Sequence, residues 1–367
     1  MDINLDRYNL AYSCYINLTS KCNLRCKHCF GNYSIPHQNE LTLEEWKKVI
    51  DDLHSSKVFF VNISGGEPTQ SPYFKEFITY LSKKGLHFIL TTNGVFSKEV
   101  REFISKNQDY LIGIKISLDG PDEKSHCYIR LDSSGKINPD IFSIVLDNIS
   151  YFKEKQIPLT ISTILHKENI KKIDMFFQLI KKINPVSWFI SPIIPVGRGN
   201  VNKSVSENYN HFDISFWESI INKGRAERIN INLIDCSQKI IRNGLSSYEC
   251  AATLNMCEIH SDGTVSPCTL SRICIPRKAL AFDNIKEKSL QEIWDGKAFE
   301  EFRGYMDKGC NGCKMLPNCN KCIAQSFRYF ENGYSPTPYC IKNGEKLGLK
   351  KLKSYKDKLN KGFGIKI

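Results

Sequence analysis

A chain of 367 residues with 41% hydrophobic and 25% charged side chains has room for two domains and a sizeable core, which argues against a disordered chain. No apolar run reaches the length of a membrane span, and the opening MDINLDRYNL lacks a basic head followed by an apolar stretch, so no membrane association and a cytoplasmic location are expected. In that compartment fifteen cysteines are better explained by metal ligation than by disulfides, and the net charge of +12 comes with no nucleic-acid module, so no nucleic-acid partner is expected.

The first expected strand, SCYINL (Ser13 to Leu18), runs into the polar loop TSKCNLRCKHCF, which holds Cys22, Cys26 and Cys29. The next cysteine is Cys127, so no fourth ligand lies nearby to close a tetrahedral zinc site. On a four-iron cubane three thiolates leave one iron free to bind a small molecule through an amine and a carboxylate. Thr42 and Glu45 then form a capping box, and Leu43, Trp46, Val49, Ile50 and Leu53 share one helix face. Gly85 stops the following helix. The β-branched runs VFFVNIS, LHFILTT, LIGIKISLD, PLTISTIL and VSWFISPI alternate with helical patterns, which predicts a parallel sheet with outer helices.

Polar motifs fall at the ends of these strands. SGGEPT contributes Gly65, Gly66, Glu67 and Pro68; its glycines allow close backbone approach and Glu67 accepts from an ammonium group. TTNG supplies Thr92 and Asn93, SLDGP supplies Ser117 and Asp119, HCYIRLD supplies Arg130, and IPVGRG follows the sixth strand.

Cys22, Cys26 and Cys29 in C-x3-C-x2-C, followed by these strand-end motifs, resemble the radical SAM superfamily. The resemblance implies an α/β fold, a partial (β/α)6 barrel, with a [4Fe-4S] cluster that binds S-adenosylmethionine (SAM) at its open iron. It implies reductive cleavage of SAM to a 5′-deoxyadenosyl radical that takes a hydrogen atom from substrate. By position Gly65, Gly66, Glu67 and Pro68 receive the methionine amino group. Thr92, Asn93, Ser117 and Asp119 serve ribose hydroxyls or the methionine carboxylate, Arg130 stands near that carboxylate, and IPVGRG lies beside adenine.

A second cysteine block follows: Cys250, Cys257, Cys268, Cys310, Cys313, Cys319, Cys322 and Cys340. Eight cysteines suit two closed cubanes; from spacing alone, a zinc ribbon of Cys310, Cys313, Cys319 and Cys322 is the alternative. The block resembles the SPASM extension, a small cysteine-rich domain binding auxiliary iron–sulfur clusters. By that resemblance cluster I uses Cys250, Cys257, Cys268 and Cys322, and cluster II uses Cys310, Cys313, Cys319 and Cys340, giving three [4Fe-4S] clusters. The spacing departs from the family's in having two residues, not three, between Cys319 and Cys322. Cys14, Cys127, Cys236 and Cys274 read as core or incidental thiols, with Cys274 available as a substitute ligand. The expected division is a barrel over 1–230, a SPASM domain over 231–345 and a basic tail over 346–367.

Closed auxiliary clusters suit electron uptake, so the expected outcome is net oxidation of substrate. The resemblance implies oxidative modification of a ribosomally synthesised peptide, through a carbon–carbon or thioether crosslink or a dehydrogenation. An external electron donor such as flavodoxin or ferredoxin is implied. A leader-binding domain does not fit before the first strand, so a separate leader-binding protein or the cleft itself recognises the peptide. Three other readings stand beside this one. The layout resembles anaerobic sulfatase-maturating enzymes, which form formylglycine; there an aspartate directly follows the second SPASM cysteine and serves as base, whereas Thr269 follows Cys268 here. Asp262 and His260 are near in sequence, and no general base is assigned. The same clusters suit oxidation of a small molecule such as a porphyrin side chain or a sugar. A non-catalytic iron–sulfur scaffold or electron carrier is the last reading; it has no use for an open iron beside an amine-binding turn.

Overall fold

Six strands follow one another through helical crossovers, as parallel pairing requires. In the computed structural model, which describes residues 13–194, 196–201, 214–233, 252–308 and 322–334, they are β1 (Ser13–Asn17), β2 (Phe60–Ser64), β3 (His87–Thr92), β4 (Leu111–Ser117), β5 (Leu159–Leu165) and β6 (Ser187–Pro192). Each pairs in parallel with its sequence neighbour. β7 (Ile231–Leu233) continues the sheet in parallel beyond β6. At the other edge β8 (Met256–Ile259) pairs in parallel with β1, and β9 (Val265–Ser266) runs antiparallel to β8. The order β7-β6-β5-β4-β3-β2-β1-β8-β9 is an open row, so the barrel is partial. Part of the cysteine-rich segment thus extends the barrel's own sheet.

Strand residues alternate between two environments, as the period of 2 dictates. Cys14, Ile16, Val61, Ile63, Phe88, Leu90, Ile114 and Ile116 are buried in the core together with Trp46, Ile50, Leu53, Phe77 and Leu81 of the outer helices α1 (Leu43–Ser55) and α2 (Phe74–Lys83). The opposite face carries Tyr15, Asn17, Asn62, Thr91, Lys115, Ser117 and Ser162. The polar face is the barrel interior, with the strand C-terminal ends at its mouth.

Local signals place the helices as the sequence leads one to expect. The Thr42 hydroxyl accepts from the Glu45 N–H at 3.3 Å and the Glu45 carboxylate from the Thr42 N–H at 2.8 Å, a reciprocal cap worth about 1 kcal/mol. Gly85 ends α2 at φ +72. The helices Leu290–Trp294, Lys297–Lys308 and Ile323–Phe330 belong to the C-terminal part, where Phe302, Tyr305, Ile323 and Phe327 share a smaller core. No helix among the described residues is long and apolar enough to cross a membrane. Cys236, Cys250, Cys310, Cys313, Cys319, Cys340 and the basic tail lie outside the described residues.

Candidate active site

β1 delivers the chain into the cysteine loop, and partly buried polar bonds fix the loop from several sides. Glu40 accepts from the Ser20 N–H and hydroxyl, both at 2.6 Å, and from the Thr19 hydroxyl at 2.8 Å. The Arg25 and Lys27 N–H groups donate to the carbonyls of Leu131 and Ile129 at 2.9 and 2.8 Å. Arg198, in the segment after β6, donates through Nε to the Cys26 carbonyl at 2.8 Å and through its N–H to the Cys29 carbonyl at 2.9 Å.

Three glycines let neighbouring loops lie directly on this one. A Cβ on Gly65, at φ +136, would stand 2.5 Å from the Thr19 carbonyl oxygen; one on Gly66 would stand 2.4 Å from that of Lys21; one on Gly197 would stand 2.2 Å from that of Phe30. The close approach read from the glycine pair is therefore made to the chain's own cysteine loop.

Glu67 is fully buried behind that pair. Its carboxylate accepts from the hydroxyls of Thr69 and Thr92, both at 2.8 Å, and from the Asn93 N–H at 2.7 Å. Burial raises its pKa against these bonds. Pro68 begins the short 3-10 turn Pro68–Gln70 that Glu67 caps. Asn93 donates to Asn23 at 2.8 Å and approaches the Cys22 sulfur at 3.9 Å. Ser117 stands half-buried on the polar face at the end of β4.

Asp119 and Arg130 form a buried ion pair, Nε to Oδ2 2.6 Å, with exposures of 0% and 8% for their side chains. Burial alone would raise the Asp119 carboxyl, but the Arg130 charge beside it outweighs that and the pKa is lowered. Asp119 also accepts from the Ile164 N–H at 2.7 Å, and its own N–H donates to His126 Nδ1 at 3.0 Å. The pair aims the guanidinium so that Nη1 lies 4.0 Å from the Cys26 sulfur.

Burial, then the neighbouring Cys26, pushes the Cys22 thiol up to about 12; burial pushes Cys26 up to about 11, against the opposing Arg130 charge. Thiols crowded in this way stay protonated unless something positive shares their charge. Among the described residues the buried Nδ1 of His28, in the same loop, finds no hydrogen-bond partner. Among the described residues no three Cys, His, Asp or Glu side chains converge on a preset metal site. Three thiols in one loop, donors directed at two of them, and an orphaned polar atom nonetheless fit a thiolate-ligated cluster.

The family model of the radical SAM superfamily matches residues 16–180, and that of the SPASM iron–sulfur cluster-binding domain matches residues 250–323. The chain belongs to the radical SAM superfamily and carries a SPASM domain. Among its relatives is the AdoMet-dependent heme synthase of Methanosarcina barkeri, 28% identical across 88% of this chain and 94% of that protein. The mycofactocin maturase MftC of Mycolicibacterium smegmatis is 27% identical across 88% and 81%. The crystal structure of Streptococcus suis SuiB bound to precursor peptide SuiA superposes with a TM-score of 0.73 at 17% identity, covering 91% of this chain and 76% of that one.

In the SPASM domain, Cys268 caps the helix Thr269–Cys274, its sulfur accepting from the Ser271 N–H at 3.4 Å, and Cys322 stands at the N-terminus of the helix Ile323–Phe330. With Cys274 they pack around Val196, Leu270 and Ala324. Cys257 is elsewhere. It lies on β8 opposite Cys14 of β1, fully buried, the two sulfurs 3.7 Å apart.

Sequence reasoning passed over Glu40, Lys115 and Glu258, and valued Arg198 only for its glycine neighbours. A charge within an apolar strand, as in LIGIKIS and MCEI, is the signal that marks two of them.

Proposed function

We propose that this radical SAM enzyme cleaves SAM reductively and uses the 5′-deoxyadenosyl radical to modify a ribosomally synthesised peptide oxidatively, by crosslinking or dehydrogenation. When bound, the cluster on Cys22, Cys26 and Cys29 supplies the electron that splits the sulfonium. The observation that carries the reading is the buried line from Asp119 through Arg130 to Cys26. A guanidinium fixed by one carboxylate keeps further donors for another, here within reach of a cluster ligand, which suits the methionine end of SAM. The Gly65–Gly66 turn and Thr92–Asn93 are proposed to complete the SAM site, with the buried Glu67 carboxylate holding Thr92 and Asn93 in place. Cys250, Cys268 and Cys322 are proposed among the ligands of an auxiliary cluster, and Cys310, Cys313, Cys319 and Cys340 as those of a second.

The peptide reading draws support from the shared architecture with SuiB, seen with its precursor peptide, and from the relative named as a maturase. A cytoplasmic setting, an external flavodoxin or ferredoxin and a separate leader-binding protein belong to the same proposal. A second reading, oxidation of a porphyrin side chain, is favoured by the heme synthase match along 94% of that protein.

The test is anaerobic reconstitution with dithionite and SAM. About twelve irons per chain are expected, falling to about eight in Cys22→Ala/Cys26→Ala/Cys29→Ala, with 5′-deoxyadenosine formed by wild type and lost in Cys26→Ala. Deuterium carried into 5′-deoxyadenosine from a labelled precursor peptide supports the first substrate class; transfer from labelled Fe-coproporphyrin III instead transfers the assignment to the second. Cleavage undiminished in Cys26→Ala would defeat both.

A further inference from the structure

β4 is an apolar strand carrying one charge, Lys115. The register sets Lys115 opposite Thr91 on β3 and Thr160 on β5, on the polar face of the sheet. It is two residues before Ser117, and so roughly 7 Å deeper along the same face, further from the strand ends that carry the SAM motifs. Its ammonium stands 3.9 Å from the centroid of the Phe189 ring on β6.

Among the described residues nothing charged answers it. No carboxylate among the described residues forms an ion pair with Lys115, which is half-buried, whereas the buried cation of the site, Arg130, is paired with Asp119. The flanking hydroxyls are engaged with other groups: Thr91 donates to Asn62 at 2.8 Å and Thr160 shares a 3.4 Å contact with Ser187. A ring face compensates an ammonium only in part, and a cation taken out of water without an anion is costly. Burial accordingly draws the Lys115 pKa down to about 8. An anion arriving from outside would meet a cation that is partly desolvated and set on the inner face of the barrel.

We infer that Lys115 anchors a carboxylate of the substrate inside the barrel, below the SAM-binding level. The inference deepens the proposed function and rests on its placing of substrate in this interior. A carboxylate is shared by the two substrate classes, as a porphyrin propionate or as an acidic or C-terminal group of a peptide, and by SAM itself.

The experiment uses the reconstituted full chain as wild type, Lys115→Met and Lys115→Arg, with equal iron content as the check on folding. Two probes carry the carboxylate: Fe-coproporphyrin III, read by its visible absorption and controlled by its tetramethyl ester, and acetyl-Ala-Glu-Ala amide, controlled by the Gln peptide. Wild type is expected to bind one probe and not its control, with a loss of at least about tenfold in Lys115→Met and recovery in Lys115→Arg. The probe that responds names the source of the carboxylate. Equal binding by wild type and Lys115→Met, or binding of neither probe, would overturn the inference. So would a loss confined to SAM affinity, which would put the methionine carboxylate at Lys115. Failure of the proposed function is separately visible, as absence of 5′-deoxyadenosine from wild type.

Discussion

The Thr269 hydroxyl donates to the Glu258 carboxylate. Asn17 on the neighbouring strand donates to its other oxygen at 2.5 Å, and the side chain is nearly fully buried opposite Tyr15. The residue after Cys268 therefore carries no carboxylate but touches one, supplied by β8. Burial, opposed by the Thr269 and Asn17 bonds, raises the Glu258 carboxyl to about 7. Such a group is poised to accept a proton near neutrality.

The sign of its effect on stability follows from that shift. The native chain holds the Glu258 proton more tightly than an unfolded glutamate, which titrates near 4.5. Its contribution is complete below that value and is lost as pH rises through about 7, amounting to roughly 3 kcal/mol at 1.36 kcal/mol per unit. Glu258→Gln, permanently neutral, is expected to remove this component from the pH dependence of urea unfolding. It should also abolish an infrared carboxylic-acid band that titrates near pH 7. A wild-type protein with no such band would show Glu258 to be ionised throughout.

The Asp119–Arg130 pair is the second place where charge is decisive. Removing one member leaves the other buried and uncompensated, which costs about 3–5 kcal/mol. Asp119→Asn is expected to lower the unfolding midpoint strongly and to weaken SAM binding, since the guanidinium loses the partner that aims it. Arg130→Lys should not rescue SAM affinity, because an ammonium offers no planar fork. Equilibrium dialysis with labelled SAM checks both, and unchanged affinity in Asp119→Asn would free Arg130 from dependence on it.

Gly66→Ala tests the seating of the cysteine loop. The added Cβ would lie 2.4 Å from the Lys21 carbonyl oxygen, which belongs to backbone and has no rotamer to yield. The N-terminal irons, about four per chain, are expected to be lost while the remainder stay. Gly304→Ala is the control: among the described residues nothing lies within 4 Å of a Cβ there, in the middle of a helix, and the change should stabilise by up to about 1 kcal/mol. Equal iron content in both variants would mean that the loop can move aside.

The strands, their parallel order and the capped helix after the cysteine loop were legible because each rests on local chemistry: β-branched runs, Thr42 with Glu45, Gly85. The cysteine loop was legible because its spacing is itself the chemistry. What the sequence did not disclose depends on partners far along the chain. Glu67 and Asp119 read as groups turned toward a ligand, yet most of their acceptor capacity goes to Thr69, Thr92 and Asn93, and to Arg130 and Ile164. The charge of Glu258 shows within MCEI, but its environment does not, because that is made in part by Asn17, more than two hundred residues earlier. The extension of the barrel by β8 and β9 had no signal, since strands this short carry too few residues for a period to show.

That extension bears on which cysteines can share a cluster. Successive residues of a strand face opposite sides, so Cys257 and Glu258 are on opposite faces of β8. The Cys257 thiol meets Cys14 in the helix-covered core, while Glu258 meets Thr269, the residue next to Cys268. Cys257 and Cys268 are thereby separated by the sheet, and a cubane cannot be ligated through it without pulling β8 from β1. Cys274 lacks this obstacle: it packs with Cys268 and Cys322 around the same three residues. Cys257→Ser is therefore expected to keep the wild-type iron content, whereas Cys268→Ser and Cys274→Ser each lose about four irons. Mössbauer spectra and iron analysis of the reconstituted variants check this. Loss of about four irons in Cys257→Ser with none in Cys274→Ser would restore Cys257 to the ligand set and would require β8 to shift when the cluster binds.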